Sequence, residues 1–241
     1  MNKILEIKGV IFDYGGTIDT NSCHWAEVLW SSYKKNKIPV NYEDFREAYV
    51  FAERALAKFP YITPSHNFHD VLNIKVNLEL QYLASQHIID VDITELNHYA
   101  RIVADDCYNF VLETLKVTAP VVKKLSEKYK VVLVSNFYGN IHTILKDFGL
   151  DSYFIDVIES SVVKVRKPDP AIFALGVKSL ELPAQDVVVI GDSFSKDIVP
   201  ASSIGCKTIW LEGKGWGNEI IDKTVPDAIV SSLEYIPNLL F

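Results

Sequence analysis

Five short, largely apolar runs constrain the fold of this chain more than any other feature of its sequence. They lie at residues 9–12, 131–134, 153–158, 187–190 and 208–211. A strand that is buried on one face alternates apolar and polar residues, whereas a strand of a parallel sheet is covered on both faces and is apolar throughout. The five runs therefore predict a parallel β-sheet.

Helical patterns separate the later runs, as the crossovers between parallel strands require. One predicted helix begins with Thr118 as its N-cap and has Pro120 in its first turn. Another extends from about Pro170 to Leu180. Alternating strands and helices predict an α/β fold with a doubly wound parallel sheet and a Rossmann-like core.

The segment between the first two runs has a different character, because its apolar residues recur at helical spacing. Asp92 followed by Glu95 resembles a capping box at the start of one helix. We expect a helical cap domain at residues 20–114, inserted into an α/β core domain formed by residues 1–19 and 115–241. Two apolar stripes carry this prediction: Val71, Ile74, Leu78 and Tyr82, then Leu96, Ala100, Val103, Cys107 and Val111.

The charge and cysteine content limit the class of protein. The chain has 31 acidic and 24 basic side chains and a net charge of −7. Nucleic acids and anionic membranes are bound mainly by clustered Lys and Arg, so neither is an expected partner. No apolar run reaches the roughly 18 residues of a membrane-spanning helix, and the N-terminus does not resemble a signal peptide. Three cysteines without CxxC spacing predict reduced thiols and a cytoplasmic protein.

Polar side chains follow several of the apolar runs. Ligands of doubly wound sheets bind beyond the carboxyl ends of the strands, so these side chains are expected to meet at one edge. Carboxylates there can bind Mg²⁺, while a hydroxyl, backbone N–H groups and a lysine can hold phosphate oxygens. A carboxylate beside a metal and a lysine can also attack phosphorus. The residues concerned are Asp13, Ser135, Asn136, Lys167, Asp192 and Asp197.

Taken singly, each of these residues is common in turns and on protein surfaces, but together and in this order they resemble four motifs of the haloacid dehalogenase superfamily. The insertion after the first motif also resembles the helical cap of that family, so the likeness covers nearly the whole chain. The resemblance implies a hydrolase of the phosphatase-like branch that acts on small phosphorylated substrates. In chain order the four segments are VIFDYGGTID, VVLVSN, VRKPDPAIF and VVVIGDSFSKDI.

The resemblance also implies a role for each matching residue. Asp13 would be the nucleophile and a ligand of Mg²⁺, together with Asp192 and the backbone carbonyl of Gly15. Ser135, Asn136 and Lys167 would bind the phosphate, with Ser135 and Lys167 also taking part in catalysis. Asp197 would support the metal site or Lys167.

Gly15 departs from the family pattern, in which phosphatases usually carry a second Asp as general acid and base. Loss of general acid–base catalysis costs roughly 10²–10⁴-fold, and most for a poor leaving group. A slow or substrate-restricted phosphatase is therefore expected. Five residues are candidates for the missing role, although ordinary packed or surface positions are the simpler interpretation of the histidines: Tyr14, Asp19, His24, His66 and His69.

Three alternative functions remain open. Halide-cleaving relatives also lack the second Asp, but the metal-binding pattern around Asp192 counts against them. Phosphonate-cleaving relatives need a cap lysine as a Schiff base. Lys34, Lys35, Lys37, Lys58 and Lys75 are available, with solvated surface as the simpler interpretation. A non-hydrolytic phospho-ligand binding or regulatory module is the third alternative. The sequence does not determine the oligomeric state.

Overall fold

The computed structural model describes residues 7–213 and 221–241. A single parallel β-sheet lies at the centre of the fold. Its strand order is β3-β2-β1-β4-β5-β6, and every neighbouring pair is parallel. This order is the doubly wound arrangement of a Rossmann-like fold, which confirms the predicted fold class. The strands are β1 (Gly9–Phe12), β2 (Lys130–Ser135), β3 (Asp156–Glu159), β4 (Val187–Gly191), β5 (Lys207–Leu211) and β6 (Ala228–Val230).

Helices connect these strands, and the four longest all lie between β1 and β2 in the chain. Within the described ranges, no helix is long and apolar enough to cross a membrane. The helices are α1 (Trp25–Lys35), α2 (Tyr42–Lys58), α3 (Phe68–Ser85), α4 (Ile93–Ser126), α5 (Ile141–Asp147), α6 (Ser160–Val163), α7 (Ala171–Leu180), α8 (Val199–Ser203) and α9 (Pro237–Leu240).

The central strands are buried on both faces, which explains their uninterrupted apolar character. Val10 and Phe12 of β1 belong to the large core that also contains the apolar faces of α1 to α4. Ile11 points to the opposite face and packs with Ile172 and Phe173 of α7. Full burial of such a side chain contributes about 1.5–3 kcal/mol, so a polar residue at any of these positions would be costly.

Two strands differ from the sequence prediction. The third apolar run was expected to be a strand from residue 153, but Asp151–Tyr153 form a 3₁₀ turn and β3 begins at Asp156. The edge strand β6 was not predicted. Its three residues are too few to show a periodic pattern.

Helix α4 continues through the point where a new helix was predicted, so the prediction of an N-cap at Thr118 is wrong. Thr118 is buried, and its Oγ1 donates a hydrogen bond to the carbonyl oxygen of Ile18 at 2.7 Å. Pro120 removes one backbone hydrogen bond from the helix. Burial of Val121 and Val122 in the large core offsets that loss and keeps the helix continuous.

We expect Thr118→Val to lower the free energy of unfolding by about 1–3 kcal/mol, because a buried carbonyl loses its donor. Thr114→Val is the matched control, since Thr114 is half-buried on the same helix and its Oγ1 donates within that helix, to Phe110. The control should stay within about 0.5 kcal/mol of wild type. Urea unfolding measures both changes, and equal losses would show that the contact with Ile18 contributes nothing.

One of the two predicted apolar stripes is buried throughout, and the other is buried only in part. The stripe on α4 is confirmed, because all five of its residues are buried. Asp92 is the N-cap of that helix, and its carboxylate accepts a hydrogen bond from the backbone N–H of Glu95 at 2.9 Å. On α3, Val71 is buried, but the other three residues of the predicted stripe are only half-buried.

The buried face of α3 instead includes two charged residues, Lys75 and Glu79. Glu53 pairs with Lys75, and the Tyr33 hydroxyl donates to Glu79 at 2.9 Å. These partners come from α1 and α2, so apolar periodicity within α3 could not reveal them. The division into a core of residues 1–19 and 115–241 and a cap of residues 20–114 stays a prediction. Its second boundary falls inside α4, and residues 1–6 lie outside the described residues.

Candidate active site

The carboxyl ends of β1, β2 and β4 bring the predicted site residues to one cavity of about 840 Å³. Asp13 directly follows β1, and its backbone N–H donates to the carbonyl of Ile190 in β4 at 2.9 Å. Asp192 follows β4, and Ser135 is the last residue of β2. The order of the strands reverses between β1 and β4, which is where doubly wound folds bind their ligands.

Lys167 joins two carboxylates in this cavity. Its Nζ lies 2.6 Å from Oδ1 of Asp13 and 2.7 Å from Oδ1 of Asp197. Burial lowers the pKa of Lys167, but the attraction of the two carboxylates outweighs burial and raises the pKa above its usual value. The side chain therefore carries a fixed positive charge between Asp13 and Asp197.

The carboxylates of Asp13, Asp192 and Asp197 form an acidic cluster, with oxygen atoms within 4.8 Å of one another. Burial raises the pKa of Asp192 well above its usual value, and the charges of Asp13 and Asp197 raise it further. A divalent cation would relieve this repulsion, and oxygen ligands of this kind suit Mg²⁺. The residues present therefore fit a magnesium ion.

Thr17 is a site residue that the sequence analysis missed. Its Oγ1 lies 3.2 Å from Oδ2 of Asp13 and 3.3 Å from Oδ1 of Asp192, and it accepts the backbone N–H of Asp192 at 3.1 Å. The available signal was its position in the turn after β1. Gly16 in the same turn has a φ of +93°, and a Cβ there would collide with the Asp192 carboxylate.

Position 15 has room for a side chain. Among the described residues, a Cβ on Gly15 would have one neighbouring atom within 4 Å, Oδ2 of Asp19 at 4.0 Å. Asp19 accepts hydrogen bonds from the backbone N–H of Gly16 at 2.7 Å and from Nε1 of Trp25 at 2.9 Å. Burial nevertheless raises the pKa of Asp19 to about 7. Near neutral pH this carboxyl group can therefore exist in either protonation state.

Among the other candidates for the missing acid, His24 also lines the cavity. Burial, followed by the charge of Lys75, lowers the pKa of His24 to about 4, so its ring is neutral near pH 7. Tyr14 is buried but is not part of the cavity wall among the described residues. His66 and His69 lie outside that wall as well, and His69 pairs with Asp105.

Asn136 and Ser135 lie at the same edge but make different contacts. The Asn136 side chain forms two hydrogen bonds with the backbone of Lys167, donating to its oxygen at 3.1 Å and accepting from its nitrogen at 2.9 Å. These bonds favour a role in positioning Lys167, while direct phosphate binding by Asn136 stays a prediction. Ser135 is buried and contributes to the cavity wall.

All five lysines of the helical segment were expected to be solvated, and this expectation is wrong for Lys75. This lysine is only 6% exposed and lines the cavity, together with Glu53 and Tyr49. The expectation fails because the partners of Lys75 lie on another helix. Lys58 also lines the cavity but is exposed, and Lys34, Lys35 and Lys37 are exposed as expected.

Comparison with known proteins identifies the class. The profile of the haloacid dehalogenase-like hydrolases matches residues 7–205. The chain therefore belongs to the haloacid dehalogenase-like hydrolase family. A zebrafish (Danio rerio) relative, haloacid dehalogenase-like hydrolase domain-containing protein 3, is 34% identical over 105 residues. That match spans 44% of this chain and 43% of the relative, which is less than half of either protein.

Two further matches extend over nearly the whole chain. The glyceraldehyde 3-phosphate phosphatase of Methanocaldococcus jannaschii is 24% identical over 97% of both chains. The structure of the HAD-hydrolase YfnB from Bacillus subtilis, solved bound to magnesium, superposes with a TM-score of 0.60. It is 20% identical, and the match covers 98% of this chain and 99% of that one. At this identity the structural likeness supports the fold alone.

Proposed function

We propose that this protein is a Mg²⁺-dependent hydrolase of small phosphate monoesters that works through an aspartyl-phosphate on Asp13. The observation that carries the proposal is the pairing of Asp13 with Lys167 beside Asp192, at the switch point of the sheet and in the wall of a cavity. A carboxylate held in this way has the fixed orientation that a nucleophile needs.

In the first step, Asp13 attacks phosphorus in line with the leaving oxygen. Lys167 fixes Oδ1 of Asp13, and Thr17 contacts Oδ2. Lys167 and Ser135 would hold phosphate oxygens in the cavity. Asp13, Asp192 and the carbonyl of Gly15 would hold Mg²⁺, which when bound supplies charge neutralisation at the phosphate.

Departure of an alkoxide requires a proton donor, and hydrolysis of the aspartyl-phosphate requires an acceptor for a proton of the attacking water. Gly15 has no group that can serve as either. The carboxyl group nearest to position 15 is Asp19, by the contact described above. A phosphatase with this site is expected to be slow on alkyl esters and faster on esters whose leaving group departs without a proton.

The Methanocaldococcus relative, named as a glyceraldehyde 3-phosphate phosphatase, supports a small phosphorylated substrate for this chain as well. Lys75 argues against phosphonate cleavage. Burial lowers the pKa of Lys75, but Glu53 outweighs burial and raises it above the usual value, whereas a Schiff base forms on a neutral amine. Asp192 in the acidic cluster counts against halide cleavage. A cytoplasmic location and the absence of a nucleic-acid partner stay predictions.

Metal removal tests the proposal. We expect the protein to release phosphate from p-nitrophenyl phosphate with Mg²⁺, to stop on addition of EDTA, and to recover along a saturable Mg²⁺ titration, because the acidic cluster needs a cation to accept a phosphate dianion. Release that is indifferent to EDTA would contradict the proposal. Saturable binding of Mg²⁺ and inorganic phosphate without turnover would instead support a binding module.

A further inference from the structure

An ion pair between two helices forms part of the cavity wall. Glu53 of α2 and Lys75 of α3 are in contact, and both line the cavity that contains Asp13. The Lys75 side chain is 7% exposed, whereas that of Glu53 is 37% exposed. Nζ of Lys75 also lies 4.1 Å from the centre of the Tyr49 ring. The lysine is thus enclosed, and the carboxylate is the more open partner.

Stability alone does not account for this pair. Removing two charges from water is costly, and apolar residues of similar size often stabilise a protein equally well or better. Apolar residues fill most of the adjacent positions on α3, including Val71, Leu72 and Val76. An enclosed lysine paired with a half-exposed carboxylate beside a cavity is therefore better explained by what the pair offers to a ligand.

The pair keeps unused hydrogen-bonding capacity. Oε1 of Glu53 contacts Lys75, while no hydrogen bond or ion pair joins Oε2 to another residue in the described part of the chain. Burial raises the pKa of Glu53, but Lys75 outweighs burial and lowers it below the usual value, so the group is ionised and can only accept. Lys75 has three N–H donors, of which Glu53 takes one.

The charges of the ion pair and of the acidic cluster both affect the pKa of Tyr49. Burial raises the pKa of Tyr49, and the charges of Glu53, Asp192 and Asp19 raise it further. The ring of Tyr49 therefore lies within the field of both the ion pair and the acidic cluster. Glu53 and Lys75 line the same cavity as Asp13, so a molecule that fills this cavity with its phosphate at Asp13 contacts the pair with another part.

The chemistry of the pair selects among leaving groups. A hydroxyl group both donates and accepts, so two neighbouring hydroxyls match a carboxylate oxygen and an ammonium side by side. A carboxylate that reaches Lys75 also meets the negative charge of Glu53, and an ammonium group that reaches Glu53 also meets the positive charge of Lys75, so attraction and repulsion offset each other for both. A neutral diol meets neither repulsion.

We propose that Glu53 and Lys75 bind vicinal hydroxyl groups of the leaving group, so that the substrates are polyol or sugar monophosphates. This inference rests on the proposed function, because it assigns the leaving group of the same reaction. Glu53 and Lys75 act here as specificity-determining residues and take no part in bond breaking.

Four alkyl phosphates of similar size test the proposal, since Gly15 affects all of them alike. They are glycerol 1-phosphate, n-propyl phosphate, 2-phosphoglycolate and phosphoethanolamine, with p-nitrophenyl phosphate as a reference that lacks hydroxyls. We expect kcat/KM for glycerol 1-phosphate to exceed that for the other three alkyl esters by about 10- to 100-fold, as for a hydrogen bond to a charged group. Equal values for the diol and for n-propyl phosphate would overturn the proposal.

Variants separate recognition from folding. Glu53→Gln should abolish the preference for the diol, mainly through KM, so that kcat/KM for glycerol 1-phosphate falls to the value for n-propyl phosphate. The double variant Glu53→Gln/Lys75→Met removes both charges of the pair and should lose the same preference, even if the single variant is unstable. Glu113→Gln is the control, because Glu113 pairs with Lys116 on the exposed face of α4. A folded double variant that still prefers the diol would contradict the proposal.

Measurements of substrate affinity test this inference independently of turnover. Calorimetry with the Asp13→Asn variant and Mg²⁺ should give tighter binding of glycerol 1-phosphate than of n-propyl phosphate, and Glu53→Gln should remove the difference. Failure of the proposed function would appear as an absence of p-nitrophenyl phosphate hydrolysis. Failure of this inference would appear as equal affinities for the two esters.

Discussion

Asp13→Asn is expected to lower Mg²⁺-dependent phosphate release by roughly 10³- to 10⁶-fold, as the loss of a nucleophile does in other enzymes. An amide oxygen is a poor nucleophile, and the substitution also removes one of the two carboxylates that pair with Lys167, which keeps its contact with Asp197. The loss should appear in kcat for every phosphate ester, whatever the leaving group. Steady-state assays with p-nitrophenyl phosphate measure it directly.

Asp90→Asn is the matched control, because Asp90 is exposed and lies outside the cavity wall. It should retain wild-type activity. Thermal unfolding of both variants shows whether a loss comes from the site or from the fold. If Asp13→Asn released phosphate as fast as wild type while wild type remained Mg²⁺-dependent, another group would have to be the nucleophile.

Gly15→Asp is expected to raise kcat/KM for alkyl phosphates by about 10²-fold or more, with less than about a tenfold change for an aryl phosphate. An alkoxide leaves only when it is protonated, whereas p-nitrophenolate leaves without a proton. The cavity has room for the new side chain, whose Cβ would lie 4.0 Å from Oδ2 of Asp19. Two carboxyl groups this close favour retention of a proton on one of them, as a general acid requires.

Gly15→Asn separates proton transfer from shape. Asparagine has nearly the same size as aspartate but cannot donate and accept a proton in this role, so no gain on alkyl phosphates is expected. The ratio of alkyl to aryl rates, measured for wild type and both variants, is the relevant quantity. Equal gains on both ester classes, or equal gains for Asp and Asn, would refute the proton-transfer explanation.

The sequence was a sufficient guide to the sheet because its strands are buried on both faces. Each residue of β1 must be apolar whichever core it faces, so the runs could be read without knowledge of their neighbours. The edge strand β6 lacks that constraint and was missed. Thr118 and Pro120 predicted the start of a new helix, but α4 continues through them. Burial of the following residues in the core outweighs the tendency of a proline to begin a helix.

The acidic and basic residues of the site could also be located from the sequence. Asp13, Lys167 and Asp192 follow a fixed order relative to the strands, and parallel strands bring their carboxyl ends to one edge. Strand order does not give the contacts of Lys167 with its two carboxylates, and the support of Lys167 by Asp197 was expected only from the family resemblance. These contacts depend on distances between loops that are far apart in the chain.

The helical wall of the cavity was decided by the tertiary structure alone. Lys75 looks like a surface residue in its own helix, and its burial depends on Glu53 and Tyr49 from α2. Sequence periodicity reports which residues of one helix avoid water, but not which charges are neutralised by another helix. Sequence patterns therefore predict the central strands and most of the charged residues at their ends, whereas the packing of the helices determines which side chains face those residues across the cavity.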